Sequence, residues 1–235
     1  MRIPVLLRGF APLAAFGVVG IGLPLDAYGG VGAQLAVSLV AWLAAIALIE
    51  RSCGELRRRL VACLWLATAG ELFLSLVWGL YDYRLGNVPL FVPPGHMLLM
   101  SVGIVLAARP LPRAFVPVTL IAAIVLAACA GSTGRSTLDV ALVALLVGCI
   151  AAGRSAAERR LYAVMFWLAL ALELYGTTLG NWQWRPVDGW FGFTSGNPPL
   201  AAGAFYCALD LLALAVARRR AGSVPEPTIA MRAGA

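Results

Sequence analysis

Three acidic residues stand inside apolar runs of this sequence: Glu71 in "LATAGELFLSLVWG", Glu173 in "LALALELYGTTLG" and Asp210 in "YCALDLLALAV". An ionised carboxylate in a lipid-like interior costs at least ~2.5–3.5 kcal/mol on insertion scales, unless it is protonated, paired or turned to a wet cavity. The chain has no lysine, and no arginine falls inside these runs. At least one of the three acids is therefore expected to be held as a neutral carboxylic acid. A neutral acid can donate a proton and a neighbouring carboxylate can accept one, which is general acid–base chemistry. The same pair also suits proton or cation transport, and acids of this kind can serve purely as hydrogen-bonding links between helices.

Helical spacing aligns other polar groups with the acids. Glu71, Ser75 and Trp78 recur at i, i+4 and i+7, and Glu173, Thr177 and Gly180 repeat the pattern, while Tyr206 lies four residues before Asp210. Each glutamate precedes a segment rich in aromatic residues, Gly, Pro and Asn: "DYRLGNVPLFVPP" and "NWQWRPVDGWFGFTSGNPP". Long structured loops often act as lids or binding loops. The candidate proton-transfer set is Glu71, Glu173 and Asp210. The candidate substrate contacts are Trp78, Tyr81, Tyr83, His96, Asn181, Trp182, Trp184, Asn197 and Tyr206. Trp and Tyr also gather at membrane–water interfaces for solvation reasons alone. His96, the only histidine, reads either as an interfacial structural residue or as a proton relay.

The elements that position these residues follow from hydropathy. The chain has 235 residues, 61% of them hydrophobic and 12% charged, with a mean hydropathy of +0.88. This balance predicts an integral protein of the cell membrane, with all-α architecture and membrane lipid as its surroundings. A spanning helix needs about 20 mostly apolar residues. Eight segments approach that length, roughly 8–25, 28–49, 60–81, 93–108, 114–132, 138–152, 161–180 and 198–217. The arginines gather in the gaps "ERSCGELRRR", "RPLPR", "GRSAAERR" and the trailing "RRR". With both termini cytoplasmic, fifteen of the eighteen fall inside, leaving Arg84, Arg135 and Arg185 outside. The net charge of +7 is thus a topology signal and does not indicate nucleic acid. By depth, Glu71 lies about 17 Å from the cytoplasmic end of its helix, near the midplane of a core about 30 Å thick.

The two halves look duplicated. "RGFAP" at Arg8 matches "RAFVP" at Arg113, and "ERSCGELRRRLVACLWLATAGE" matches "GRSAAERRLYAVMFWLALALE". This aligns Trp65 with Trp167, Glu71 with Glu173, and Pro93-Pro94 with Pro198-Pro199, the proline pairs sitting where helix starts tolerate them. The expected organisation is a four-helix unit over 1–108, a second over 109–220, and a disordered cytoplasmic tail over 221–235. Arg2 and Arg8 before an apolar run would also suit a signal peptide. The internal partner of this segment favours a first span instead. The five cysteines, Cys53, Cys63, Cys129, Cys149 and Cys207, form no C-x-x-C pattern and read as small buried hydrophobes. "GSTGRST" lacks the lysine and the preceding strand of a phosphate loop. One histidine and dispersed cysteines supply no metal-ligand spacing, so neither metal nor cofactor is expected.

The pattern E-x7-G-x-Y-x-Y (Glu71, Gly79, Tyr81, Tyr83), followed by Pro89 and Pro93, resembles the carotenoid-biosynthesis hydratase family of membrane enzymes. "GNWQW…WFGFTSGNPP" is similar to the aromatic Gly/Asn/Pro segment of that family. The resemblance covers about sixty residues in two pieces, while "PPGH" and the duplication depart from it. It implies addition of water across an isoprenoid double bond. Glu71 would protonate the alkene, Glu173 or Asp210 would activate water, and aromatic rings would steady the cation. From the sequence, three readings stand side by side. They are an acid–base enzyme acting on a hydrophobic small molecule, a proton- or cation-coupled transporter, and a non-catalytic scaffold; the oligomeric state is open. The topology has a direct test. In a single-cysteine variant with the cysteine at position 188, a membrane-impermeant maleimide should label from the non-cytoplasmic side and not from the cytoplasmic side.

Overall fold

The computed structural model describes residues 5–132 and 136–222. Within them the chain folds into eight helical rods. Helix α1 (Val5–Ala15) continues through a π-helical stretch, Phe16–Gly22, into α2 (Leu23–Tyr28), which makes the first rod. Then come α3 (Val31–Glu50), α4 (Gly54–Glu71) with a π-helical extension Leu72–Val77, α5 (Val92–Ala107) and α6 (Phe115–Ser132). The last three are α7 (Thr137–Ala152), α8 (Ala156–Leu179) and α9 (Gly203–Gly222). Two strands, β1 (Tyr81–Tyr83) and β2 (Trp182–Trp184), form an antiparallel ribbon that the all-α expectation did not include.

Among the described residues, five stretches are long and apolar enough to cross a membrane: Arg8–Tyr28, Val31–Glu50, Gly54–Val77, Phe115–Ser132 and Ala156–Leu179. Val92–Ala107 and Thr137–Ala152 are apolar but shorter. Large apolar side chains face outward along α3 (Leu35, Leu39, Leu43) and α6 (Ile121, Ile124, Val125). A water-soluble fold would turn such a stripe inward, so these faces belong in lipid and the chain is a membrane protein.

The centre of the bundle is α4, α5, α8 and α9, with α4 packed on α9 and α5 on α8. Close approach depends on glycine. A Cβ on Gly203 would lie 2.4 Å from the Phe166 carbonyl oxygen, so α9 meets the α8 backbone directly. At the arginine-rich end, Arg58 Nε donates to the Ala217 carbonyl (3.2 Å) and Arg218 pairs with Glu158, which ties α4, α8 and α9 together.

Several boundaries differ from the sequence reading. The span expected over 60–81 leaves the helix at Val77. The turn at Gly79 (φ +72°) then places Tyr81 in a strand. The helix expected from 198 starts at Gly203, so Pro198-Pro199 precedes it, whereas Pro93-Pro94 does open α5. The chain is held back there by Asp139 of α7, whose Oδ1 accepts the Ala201 N–H at 2.6 Å. Helix α9 runs to Gly222, two residues into the segment assigned to the tail; the rest of the tail lies outside the described residues, as do Arg2, Arg135 and part of "GSTGRST". Cys63, Cys149 and Cys207 are buried, but Cys53 and Cys129 are exposed, because Cys53 precedes α4 and Cys129 lies on an outward face of α6.

Asp188 organises the loop that follows β2. It accepts backbone N–H bonds from Trp190, Phe191 and Phe193, and the indole N–H of Trp78 at 3.0 Å. Burial works against its charge, but these four donors outweigh it and hold its pKa down at about 2. A free aspartate titrates near 3.9, so the stabilisation is fully present above about pH 4 and is lost as pH falls toward 2. Hydrogen-exchange protection of residues 186–194, corrected for the intrinsic pH dependence of exchange, should be unchanged between pH 7 and pH 5. Asp188→Asn should speed exchange there at both pH values.

Candidate functional site

Glu71 and Glu173 are both buried and line the same interior space. Glu71 is the last residue of α4 proper, and Glu173 lies in the last two turns of α8. The ribbon folds back over them. Its alternation directs Tyr81, Tyr83, Trp182 and Trp184 inward and Asp82 and Gln183 outward. Tyr81 pairs with Trp184 and Tyr83 with Trp182, so the arrangement is symmetric about the Asp82–Gln183 pair. Outside, Arg185 forms a two-point ion pair with Asp82 (2.8 and 2.7 Å) and holds that carboxyl below its ordinary pKa.

Each glutamate has three side-chain partners. Oε2 of Glu71 accepts from the hydroxyls of Tyr81 (2.9 Å) and Tyr83 (2.6 Å), and Oε1 lies 2.8 Å from Nε2 of His96. Oε2 of Glu173 accepts the indole N–H of Trp182 (2.8 Å) and of Trp184 (3.0 Å), and Oε1 accepts the Tyr206 hydroxyl at 3.1 Å. The His96 and Tyr206 rings stack with centroids 4.6 Å apart, bridging the two sets. The sets differ chemically. Indoles only donate, so Oε2 of Glu173 is fixed as an acceptor. Hydroxyls and imidazole can each donate or accept, so the Glu71 set can relocate a proton.

The local backbone makes this possible. Gly180 caps α8 in the left-handed region (φ +77°), which reverses the chain toward β2. Gly176 leaves room for the Trp182 ring, since a Cβ there would come within 2.0 Å of it. On the other side, the π-helical turn after Glu71 lets Trp78 N–H bond the Phe73 carbonyl five residues back, at 2.7 Å. The wider turn breaks the expected i, i+4, i+7 lane. Ser75 bonds the Tyr81 carbonyl, while Trp78 swings out to Asp188 and stacks on Trp190. Thr177 bonds back to the Glu173 carbonyl within α8.

Six of the nine residues proposed as substrate contacts thus meet at the glutamates: Tyr81, Tyr83, His96, Trp182, Trp184 and Tyr206. Trp78, Asn181 and Asn197 do not. Asn181 bonds Asp26 (2.7 Å) and the Leu23 carbonyl (3.0 Å), and Asn197 accepts the Trp184 N–H. Asp210 is also elsewhere. It is buried one turn beyond Tyr206 toward Arg218, within electrostatic reach of Cys63, Cys149 and Tyr162, and lines neither cavity at the glutamates. No arginine or lysine among the described residues pairs with Glu71, but the sequence reading did not foresee that His96 reaches it from α5. Among the described residues three further buried acids escaped the sequence reading, Asp26 and Asp139 because they lie near helix ends and Asp188 because it lies in a loop. Asp26 is held by Gln34 and Asn181, with Arg84 at 3.9 Å. The signal for the ribbon was present in "YDY" and "WQW", two aromatic–polar–aromatic triplets 101 residues apart.

Removing one partner of a buried pair costs about 3–5 kcal/mol. Losing one neutral hydrogen bond costs about 0.5–1.5 kcal/mol. His96→Phe should therefore lower the Tm in detergent clearly more than Tyr206→Phe; equal losses would show that His96 contributes no more than a neutral hydrogen bond. The chain matches no protein-family model, no curated protein and no solved structure.

Proposed function

We propose that this protein is a membrane-embedded acid–base enzyme that adds water to an isolated, isoprenoid-type double bond of a lipid-soluble substrate. One observation carries the reading. The chain's only histidine meets a carboxylate in an apolar interior, facing a second carboxylate whose partners are all neutral donors.

The roles follow from the donor inventory. The proton shared by Glu71 Oε1 and His96 Nε2 passes to one alkene carbon, whose π pair forms the new C–H bond. The carbocation left on the other carbon lies among the rings of Tyr81, Tyr83, Trp182 and Trp184, whose faces attract positive charge. A water oxygen then bonds to that carbon, and Glu173 takes the released proton. To close the cycle the proton must pass from Glu173 to the Glu71–His96 pair, and Tyr206, hydrogen-bonded to Glu173 with its ring against His96, stands between them. The net reaction is alkene plus water to alcohol.

The same reading takes all eight rods as spans of the cell membrane, with both termini cytoplasmic and the halves related by a pseudo-twofold axis. The symmetric ribbon register and the matched packing of α4 on α9 and α8 on α5 support it. A specific feature favours an alternative, a proton- or cation-coupled transporter: the π-helical run Leu72–Val77 directly after Glu71 interrupts a spanning helix. Vesicle uptake driven by a pH gradient would select that reading.

Lipid extracts of a host expressing the wild type should contain a species heavier than its precursor by one water. Glu71→Gln, an isosteric change, should cut that product by about 10²–10⁴-fold while the protein still folds, the range for loss of a general acid. Glu173→Gln should do the same. Asp210→Asn should leave the product in place. Product loss in Asp210→Asn with retention in Glu71→Gln would refute the assignment.

A further inference from the structure

Two cavities meet at the carboxylates. One, of ≈ 50 Å³, lies under the π-helical part of the first rod; the other, of ≈ 360 Å³, lies between α4 and α9. Both are lined by Glu71, Tyr81, His96, Glu173 and Tyr206, so these five side chains are a partition with apolar space on each side. The larger is in the range of small-molecule sites, about 300–1,000 Å³, while the smaller has room only for the tip of a chain.

The cavities differ in access. Every residue lining the first is buried or half-buried, and Val18, Val19 and Leu23 cover it. The cover is pinned, because the Tyr175 hydroxyl bonds the Gly20 carbonyl (3.1 Å) and Asn181 bonds that of Leu23. The second cavity reaches the surface at Ala69, Phe73 (42% exposed) and Leu212 (52% exposed). Its mouth is framed by the stretch Gly54–Val77, which is long and apolar enough to cross a membrane, so it opens on lipid. No arginine lines either cavity, which leaves nothing to bind a phosphate headgroup.

We infer that the substrate is an elongated apolar chain that enters from the bilayer between α4 and α9. It reaches the carboxylates and lodges only its tip beneath Val18 and Val19. The reacting bond then lies close to that tip, with most of the apolar chain on the α4–α9 side. This inference rests on the acid–base reading for the reaction but not for the path.

The path can be tested with the full chain in liposomes, using geranylgeraniol that carries a diazirine at its apolar end. After illumination, mass spectrometry should place the label on residues 18–23. Ala69→Trp, which narrows the mouth, should reduce that label about tenfold, the effect of roughly 1.4 kcal/mol of overpacking. Leu212→Trp on the opposite lip should act alike, and serves if Ala69→Trp fails to fold. Val40→Trp, on an exposed face of α3, should leave the label unchanged. Label confined to lipid-facing positions such as Leu39 and Ile121, or label at 18–23 that neither mouth variant reduces, would overturn the path. Glu71→Gln should keep the label while losing the product. An unlabelled interior in a protein whose product still depends on Glu71 would reject the path alone. A labelled interior with a product indifferent to Glu71 would reject the acid–base reading alone.

Discussion

Two carboxylates buried in an apolar bundle demand donors, and satisfying that demand shapes the centre of this protein. Glu71 and Glu173 have no arginine or lysine among their partners, so six ring-borne groups take the place of countercharges: three tyrosines, two tryptophans and one histidine. A helix cannot turn enough donors onto one of its own side chains. The chain instead leaves each helix shortly after the glutamate, reverses, and returns as a strand whose alternate residues point back at it. The two strands then pair, which satisfies backbone groups that would otherwise be unmatched at that depth.

The acids of this protein divide by the kind of partner they hold. Asp188 and Asp139 accept backbone N–H groups and fix loops, and Asp26 is locked between Gln34 and Asn181. Such acceptor roles commit the carboxylate and leave no proton to move. At Glu71 every partner is a hydroxyl or an imidazole, groups that donate and accept in turn. Glu173 stands between the two cases, with one oxygen committed to indoles and the other facing a tyrosine hydroxyl. This graded commitment is what gives the pair unequal roles in a proton transfer.

Departures from regular helix are concentrated where the site needs space. The π-helical turn after Glu71 sends Trp78 to the loop that follows β2, and a second π-helical stretch carries Val18 and Val19 over the inner cavity. The carbonyl of Gly20 in that stretch is taken up by Tyr175 of α8. Irregular backbone at membrane depth is tolerated where protein groups complete its hydrogen bonds.

The sequence alone determined the membrane character, the number and rough place of the helices and the two glutamates as the residues to watch. Each of these rests on local hydropathy or on charge placed against it, and both are properties of contiguous residues. It also pointed to the aromatic segments after each glutamate, though not to their fold, since three residues of alternation are too few to separate strand from loop. Tertiary structure decided which polar groups share a space. His96 lies 25 residues from Glu71 on another helix, and only the packing of α4 against α5 brings them together. Asp210 and Tyr206 share a face of α9, yet one helical turn separates the residue in the site from the one in the core. Asn181, for all its place in an aromatic loop, is claimed by Asp26, 155 residues away. Proximity across helices depends on crossing geometry and on where the chain turns back. Neither is written in the local pattern of apolar and polar residues, which records how deep a side chain lies and not which neighbour it will meet.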